Sequence, residues 1–243
     1  DHADNGLPNL DVGKGSPTAV KFGTRSNFPG RFRTSLFVLD WAYGRILAVH
    51  TIPRGSSYLL SGETFLQGRP LNVTDLDFGA DGSMYLVTGG RGTQSALDRV
   101  SFTGNPPKED PKTPQQQRRA AFTVTARQQR RQLEQLLQRA TQTAQHVSAI
   151  WPHISNPDPW IRQAARNVLE RIDVSWWSDR ALEEPNVTAA TNGLLSLARA
   201  TGTTHRTAIL SRLNQLTWDQ ATRSVRQTAI YTYWLLLRKP LAP

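Results

Sequence analysis

The sequence predicts a multidomain β plus α fold, with a partial β-propeller (two blades) ahead of an α-helical repeat region. Three observations predict it. Over the first hundred residues, short runs rich in Val, Leu, Phe and Tyr alternate in period two between Gly, Asn and Asp turn signals, the pattern of half-buried strands. Those strands then repeat. SPTAVKFG at 16–23 is followed by NVTDLDFG at 72–79, and Leu36-Phe37-Val38 stands 48 residues before Met84-Tyr85-Leu86. Units of this length, each giving about four antiparallel strands, are the sequence signature of propeller blades. Beyond a stretch rich in proline and glutamine, the apolar period changes to 3.6.

In the first unit, strands are expected at 17–22, 35–39, 45–50 and 57–66; in the second, at 73–78, 83–88 and 96–102. No fourth strand follows there. A last blade short of its outer strand is what ring closure by an N-terminal segment produces, and two blades alone leave open edges. The expectation is therefore a C-terminal piece of a longer protein, with the remaining blades as its partners. Residues 1–104 form the two blades, 105–126 a Pro/Gln-rich linker, and 127–243 the helical repeats.

The helical region opens on ARQQRRQLEQLLQRATQTA, whose Leu133, Leu136, Leu137 and Ala140 share one face. In IWPHISNPDPWIRQAARNVLERI, Asn156-Pro157-Asp158-Pro159 turns the chain. Asp158 is placed to cap the next helix and Pro159 suits its first turn. This unit resembles a HEAT-like repeat, which implies that Asp158 and Arg162 tie neighbouring repeats together. Further helices are expected at about 178–184, 187–200, 204–215 and 219–237.

Composition excludes several classes. With 243 residues and a mean hydropathy of -0.47, the chain has no apolar run approaching the roughly 18 residues of a membrane span. Zero cysteines exclude disulfides, thiolate metal sites and Cys-based haem attachment within these residues. The charge is uneven: residues 1–104 hold 10 Lys and Arg against 9 Asp and Glu, and residues 105–243 hold 19 against 10. With no dense basic block or interleaved aromatics, this excess reads as solvated helix faces, and a nucleic-acid partner is disfavoured.

Asp40, Trp41 and Tyr43 sit in the turn of SLFVLDWAYGRILAVH, where a propeller gathers loops around its channel. The matching turn, Thr88 to Ser95, is glycine-rich and holds Arg91 and Gln94. Its glycines let backbone amides approach an anion, and Arg91 suits a carboxylate or phosphate. Asp40, Trp41, Arg91 and Gln94 are therefore the candidate ligand-binding residues. Against that, a sufficient structural account has Asp40 bonding turn amides, Gly44 supplying the backbone freedom and the aromatics packing on the next blade. Asp75, Asp77 and Asp81 read as turn residues rather than a calcium site. The five histidines show no metal-ligand spacing, and His50 has no partner visible in sequence. No catalytic residue and no metal site is assigned.

Taken in order, SPTAVKFG, FPGRFRTSLFVLDWAYGRILAVH, GRPLNVTDLDFGADGSMYLVTGGRGTQSALDRV and IWPHISNPDPWIRQAARNVLERI resemble the large exported proteins of planctomycetes and related bacteria. Those chains join a sorbosone/glucose dehydrogenase-like propeller to helical repeats and usually a cytochrome c domain. The resemblance implies a periplasmic or otherwise exported parent of the quinoprotein-like sugar or alcohol dehydrogenase kind. Haem c and a quinone would be that parent's cofactors, with none in this segment. A non-enzymatic scaffold binding a protein or carbohydrate is the alternative.

Overall fold

The computed structural model describes residues 10–105, 113–138, 143–219 and 221–238. Within them the chain divides into a sheet unit, spanning 10–54 and 58–119, and a helical unit, spanning 120–238 together with 55–57.

The sheet unit holds two antiparallel sheets. The first runs β1 (Pro17–Phe22), β2 (Leu36–Asp40), β3 (Arg45–Arg54) and β4 (Ser57–Gln67), in that order; the second runs β5 (Val73–Phe78), β6 (Met84–Gly90) and β7 (Thr93–Val100). Period two decides which face is buried. Phe37 pairs with Ala48 and Leu39 with Ile46, and all four are buried on one face. Leu76 opposite Leu86, and Phe78 opposite Met84, supply the buried face of the second sheet. The two faces share one core, knitted by Phe28, Phe37, Phe65 and Phe78. Its ring centroids are as close as 4.9 Å for Phe37 and Phe65 and 5.8 Å for Phe37 and Phe78. Such aromatic pairs add about 0.5–1.5 kcal/mol each beyond area burial.

The expectation of a partial β-propeller followed by HEAT-like repeats is corrected here. The strands fall close to their expected places, but they build two small open sheets of four and three strands with no closure. The physical reason is that the two repeats satisfy each other: the apolar face that a ring would share among several blades is covered by the partner sheet. A 48-residue spacing specifies two similar sheets, not a ring.

The helices differ as well. α1 (Gly30–Arg33) is a single turn within the sheet unit. α2 (Pro114–Leu136) begins inside the segment read as linker, because Thr113 and Gln116 cap its first turn and glutamine, arginine and alanine are good helix formers. Then come α3 (Ala144–Ile150), α4 (Pro159–Leu169), α5 (Ser178–Glu183), α6 (Val187–Thr201), α7 (Arg206–Gln215) and α8 (Arg223–Leu237). α6 packs against α4, α5, α7 and α8 and is buried without interruption from Ala189 to Ala198. A repeat helix buries one stripe and leaves the other wet; α6 is instead the centre of an array of unequal helices. Among the described residues no helix is long and apolar enough to cross a membrane.

Candidate functional site

Two hairpin turns meet at one end of the sheet unit. In the first, between β2 and β3, Asp40 is only 4% exposed. Its Oδ1 accepts the Ser16 amide at 3.0 Å, its Oδ2 accepts Arg45 Nε at 2.9 Å, and Arg45 also donates to the Val12 carbonyl at 3.0 Å. Burial pushes the Asp40 carboxyl up, but the amides of Ser16 and Tyr43 and the Arg45 guanidinium outweigh it and hold the group below the ordinary aspartate range. Both carboxylate oxygens of Asp40 are thus bonded within the protein, one to Ser16 and one to Arg45. Gly44 closes that turn at φ +57°, where an added Cβ would lie 2.6 Å from the Gly68 carbonyl oxygen.

Trp41 joins the turns. Its indole Nε1 donates to the Gly89 carbonyl at 2.8 Å, its own carbonyl accepts Asn72 Nδ2 at 3.2 Å, and the Gly89 amide donates to the Asn72 carbonyl at 2.9 Å. The Arg91 guanidinium carbon lies 5.2 Å from the Trp41 ring centroid, and that of Arg45 lies 5.1 Å from the Tyr43 ring, which is about half exposed. The backbone makes Arg91 unusual. It sits at φ +49°, the sole non-glycine at positive φ among the described residues, with Gly89 and Gly90 before it and Gly92 after it. A side chain here costs roughly 1 kcal/mol that a fourth glycine would spare.

Of the four sequence candidates, the structure brings Asp40, Trp41 and Arg91 to one place. Gln94 is exposed on β7, two residues beyond the turn. Because the sheets are open, these residues line no propeller channel; they form a surface shared by two turns. Sequence reading passed over Arg45, which stacks on Tyr43, and Asn72, which links the turns. Their signal was present: an arginine two residues after an aromatic, and an asparagine just ahead of a strand.

The other candidates lie elsewhere. Asp158 caps α4, accepting the amides of Trp160 and Ile161 at 3.0 and 3.3 Å. Arg162, nearly buried, donates to the carbonyls of Asn156 and Pro157 and reaches Ser224 Oγ on α8 at 3.4 Å. Asp77 pairs with Lys21 and Arg25, while Asp81 takes the Ser83 amide, Arg99 and the Tyr85 hydroxyl.

His50 has partners that its sequence neighbourhood does not reveal. Its Nδ1 lies 2.7 Å from Ser35 Oγ and its Nε2 lies 2.8 Å from Glu63 Oε1. A serine, a histidine and a carboxylate in line invite comparison with a hydrolase triad. The comparison fails on the hydroxyl. Ser35 is fully buried, and its Oγ is held between the Arg31 carbonyl, to which it donates at 2.6 Å, and the His50 ring, so it faces no substrate. The trio braces β3 and β4 against α1.

No family model, curated protein or solved structure matches the chain. A c-type haem needs a cysteine pair, and the chain has none; among the described residues no group of three His, Cys, Asp or Glu side chains is placed to hold a metal ion.

Proposed function

We propose that this chain is a non-enzymatic binding module that takes a carboxylate-bearing carbohydrate on the paired turns at Trp41 and Arg91. The observation that carries the reading is Arg91 itself: an arginine kept at positive φ among glycines, stacked on a tryptophan whose indole is pinned by Gly89. Strained backbone of this kind clusters at ligand clamps and switch regions. The chemistry fits an acidic sugar. The exposed ring of Tyr43 offers a flat apolar face to sugar C–H groups, and guanidinium groups bind carboxylates in a bidentate fork. Asp40, bonded within its turn, holds Arg45 in place and leaves no free carboxylate to repel the ligand.

In this reading the module belongs to an exported, dehydrogenase-like, cytochrome c-linked protein of the kind its wording resembles, and serves to hold that protein on a polymer. Its test is titration with an acidic and a neutral oligosaccharide of equal length, followed by the Trp41 indole resonance. The acidic chain is expected to bind, and Arg91→Ala to weaken it by about tenfold to a hundredfold, the span of one charge-assisted pair. Equal binding of the two sugars, or an Arg91→Ala variant that binds like the parent, sinks the proposal.

A further inference from the structure

A second surface lies at the other end of β1 and β2. Between Asp11 and Asp40 the chain carries five cations, Lys14, Lys21, Arg25, Arg31 and Arg33, and no acid. Among the described residues, two acids from elsewhere pair with these cations: Asp77 with Lys21 and Arg25 at 3.2 and 3.5 Å, and Glu63 with Arg31 at 3.2 Å and with His50. Arg33 has no acidic partner among the described residues, and it lines a groove of about 360 Å³ with Thr24, Gly30 and Thr34. Among the described residues the Thr34 hydroxyl donates over long distances, 3.2 Å to the Arg31 carbonyl and 3.5 Å to that of Gly30. An arginine with no acidic partner among the described residues, two threonines and a glycine thus line one hollow.

Beside it runs an apolar strip. Val20 pairs with Val38, which pairs with Leu47; Phe22 pairs with Leu36, which pairs with Val49. Cross-strand partners share a face, so this is the side of the first sheet opposite the Phe37 core. Its β1 end is open to solvent, with Val20 58% and Phe22 53% exposed. Phe22 and Leu36 form the last pair of the ladder before Thr24 and Thr34.

We infer that this groove binds a tetrahedral oxyanion, a phosphate or sulfate ester, carried on a flat apolar body that lies along Phe22. Arg33 pairs with the anionic oxygens, Thr24 and Thr34 donate their hydroxyls to them, and the body covers aromatic surface that is otherwise wet. The site is separate from the Trp41 turns and does not depend on the reading given to them.

The test is a titration of the whole chain with inorganic phosphate, inorganic sulfate, phenyl phosphate and phenyl sulfate, read by amide resonances near Thr24 and Thr34. Phenyl phosphate is expected to bind about tenfold more tightly than phosphate, on the order of what burying one edge of a ring contributes. Arg33→Ala should weaken both esters at least about tenfold, the scale of a lost charge-assisted pair. Phe22→Ala should erase the advantage of the phenyl group while leaving phosphate binding intact, and Arg118→Ala on α2, which removes the same charge from a residue that does not line the groove, should change nothing. The inference is overturned if no compound gives saturable shifts at millimolar concentration, if Arg33→Ala behaves like Arg118→Ala, or if the phenyl group confers no advantage in the parent chain. Where the esters bind, the tighter one names the ester class.

Discussion

Replacing Asp40 by asparagine separates its structural work from any contact with ligand. The substitution keeps the shape and one carbonyl acceptor but puts an amide NH₂ where Oδ2 receives Arg45 Nε at 2.9 Å. A hydrogen bond to a charged group contributes about 1.5–3 kcal/mol. The side chain of Asp40 is 5% exposed and that of Arg45 24%, so solvent recovers part of the loss at Arg45 alone. The expected destabilisation is about 1–2.5 kcal/mol at neutral pH. Trp41 is the sole tryptophan before residue 151, so loss of its indole resonance with urea reports this unit without interference. The pH dependence supplies the sharper test. The folded Asp40 carboxyl lies below its unfolded value of about 3.9. Its stabilisation is therefore complete above that pH and is lost as pH falls through the lower folded value. The gap between parent and Asp40→Asn should be full at pH 7 and close progressively below about pH 4. A gap under about 0.5 kcal/mol at pH 7, the scatter of ordinary surface substitutions, or one that stays constant into acid, refutes the role given to Asp40.

Gly44→Ala should cost about 2–3 kcal/mol in the same urea experiment, because it adds a Cβ at φ +57° only 2.6 Å from the Gly68 carbonyl oxygen. Gly92→Ala, at φ +81° with nothing within 4 Å of the added Cβ, should cost about 1 kcal/mol, and equal losses would show that the clash is not what selects glycine at 44. Asp158→Ala should speed amide exchange at Trp160 and Ile161 by about fivefold, as a lost helix cap of roughly 1 kcal/mol does. Unchanged exchange would deny it the capping role.

The strands were legible because their signals are local. Leu36 to Leu39 alternates in burial as the hydrophobic pattern implies, and the turns at Gly44 and Gly82 sit where glycine is written. Sheet closure was not legible, because period two says which residues face a core but not what lies across it. Phe37, Phe65 and Phe78 come from three separate strands, and nothing in their spacing says that two sheets suffice to bury them. In the helical half, Asp158 announced its cap. The central place of α6 was hidden by Thr191, Asn192 and Ser196, polar letters that look solvated but are buried with their bonds made inside: Thr191 to the Val187 carbonyl, Asn192 to the Thr188 carbonyl and to Arg166, and Ser196 to Glu170.

The same limit governs the sites. Trp41 and Arg91 stood 50 residues apart, and only the internal repeat set their turns side by side. Repetition placed them together but could not say that Trp41 reaches across to Gly89 while Asp40 turns inward to Ser16 and Arg45. The partners of His50 carry no repeat and no motif spacing, and they needed the register of β3 and β4 to be found. Arg33 shows the converse. Its sequence signal, an acid-free stretch between Asp11 and Asp40, was plain, but it gained meaning once Asp77 and Glu63 proved to be held by other cations of that stretch and Arg33, among the described residues, by no acid. Charge count locates a cationic surface; only pairing shows which cation on it is free to bind.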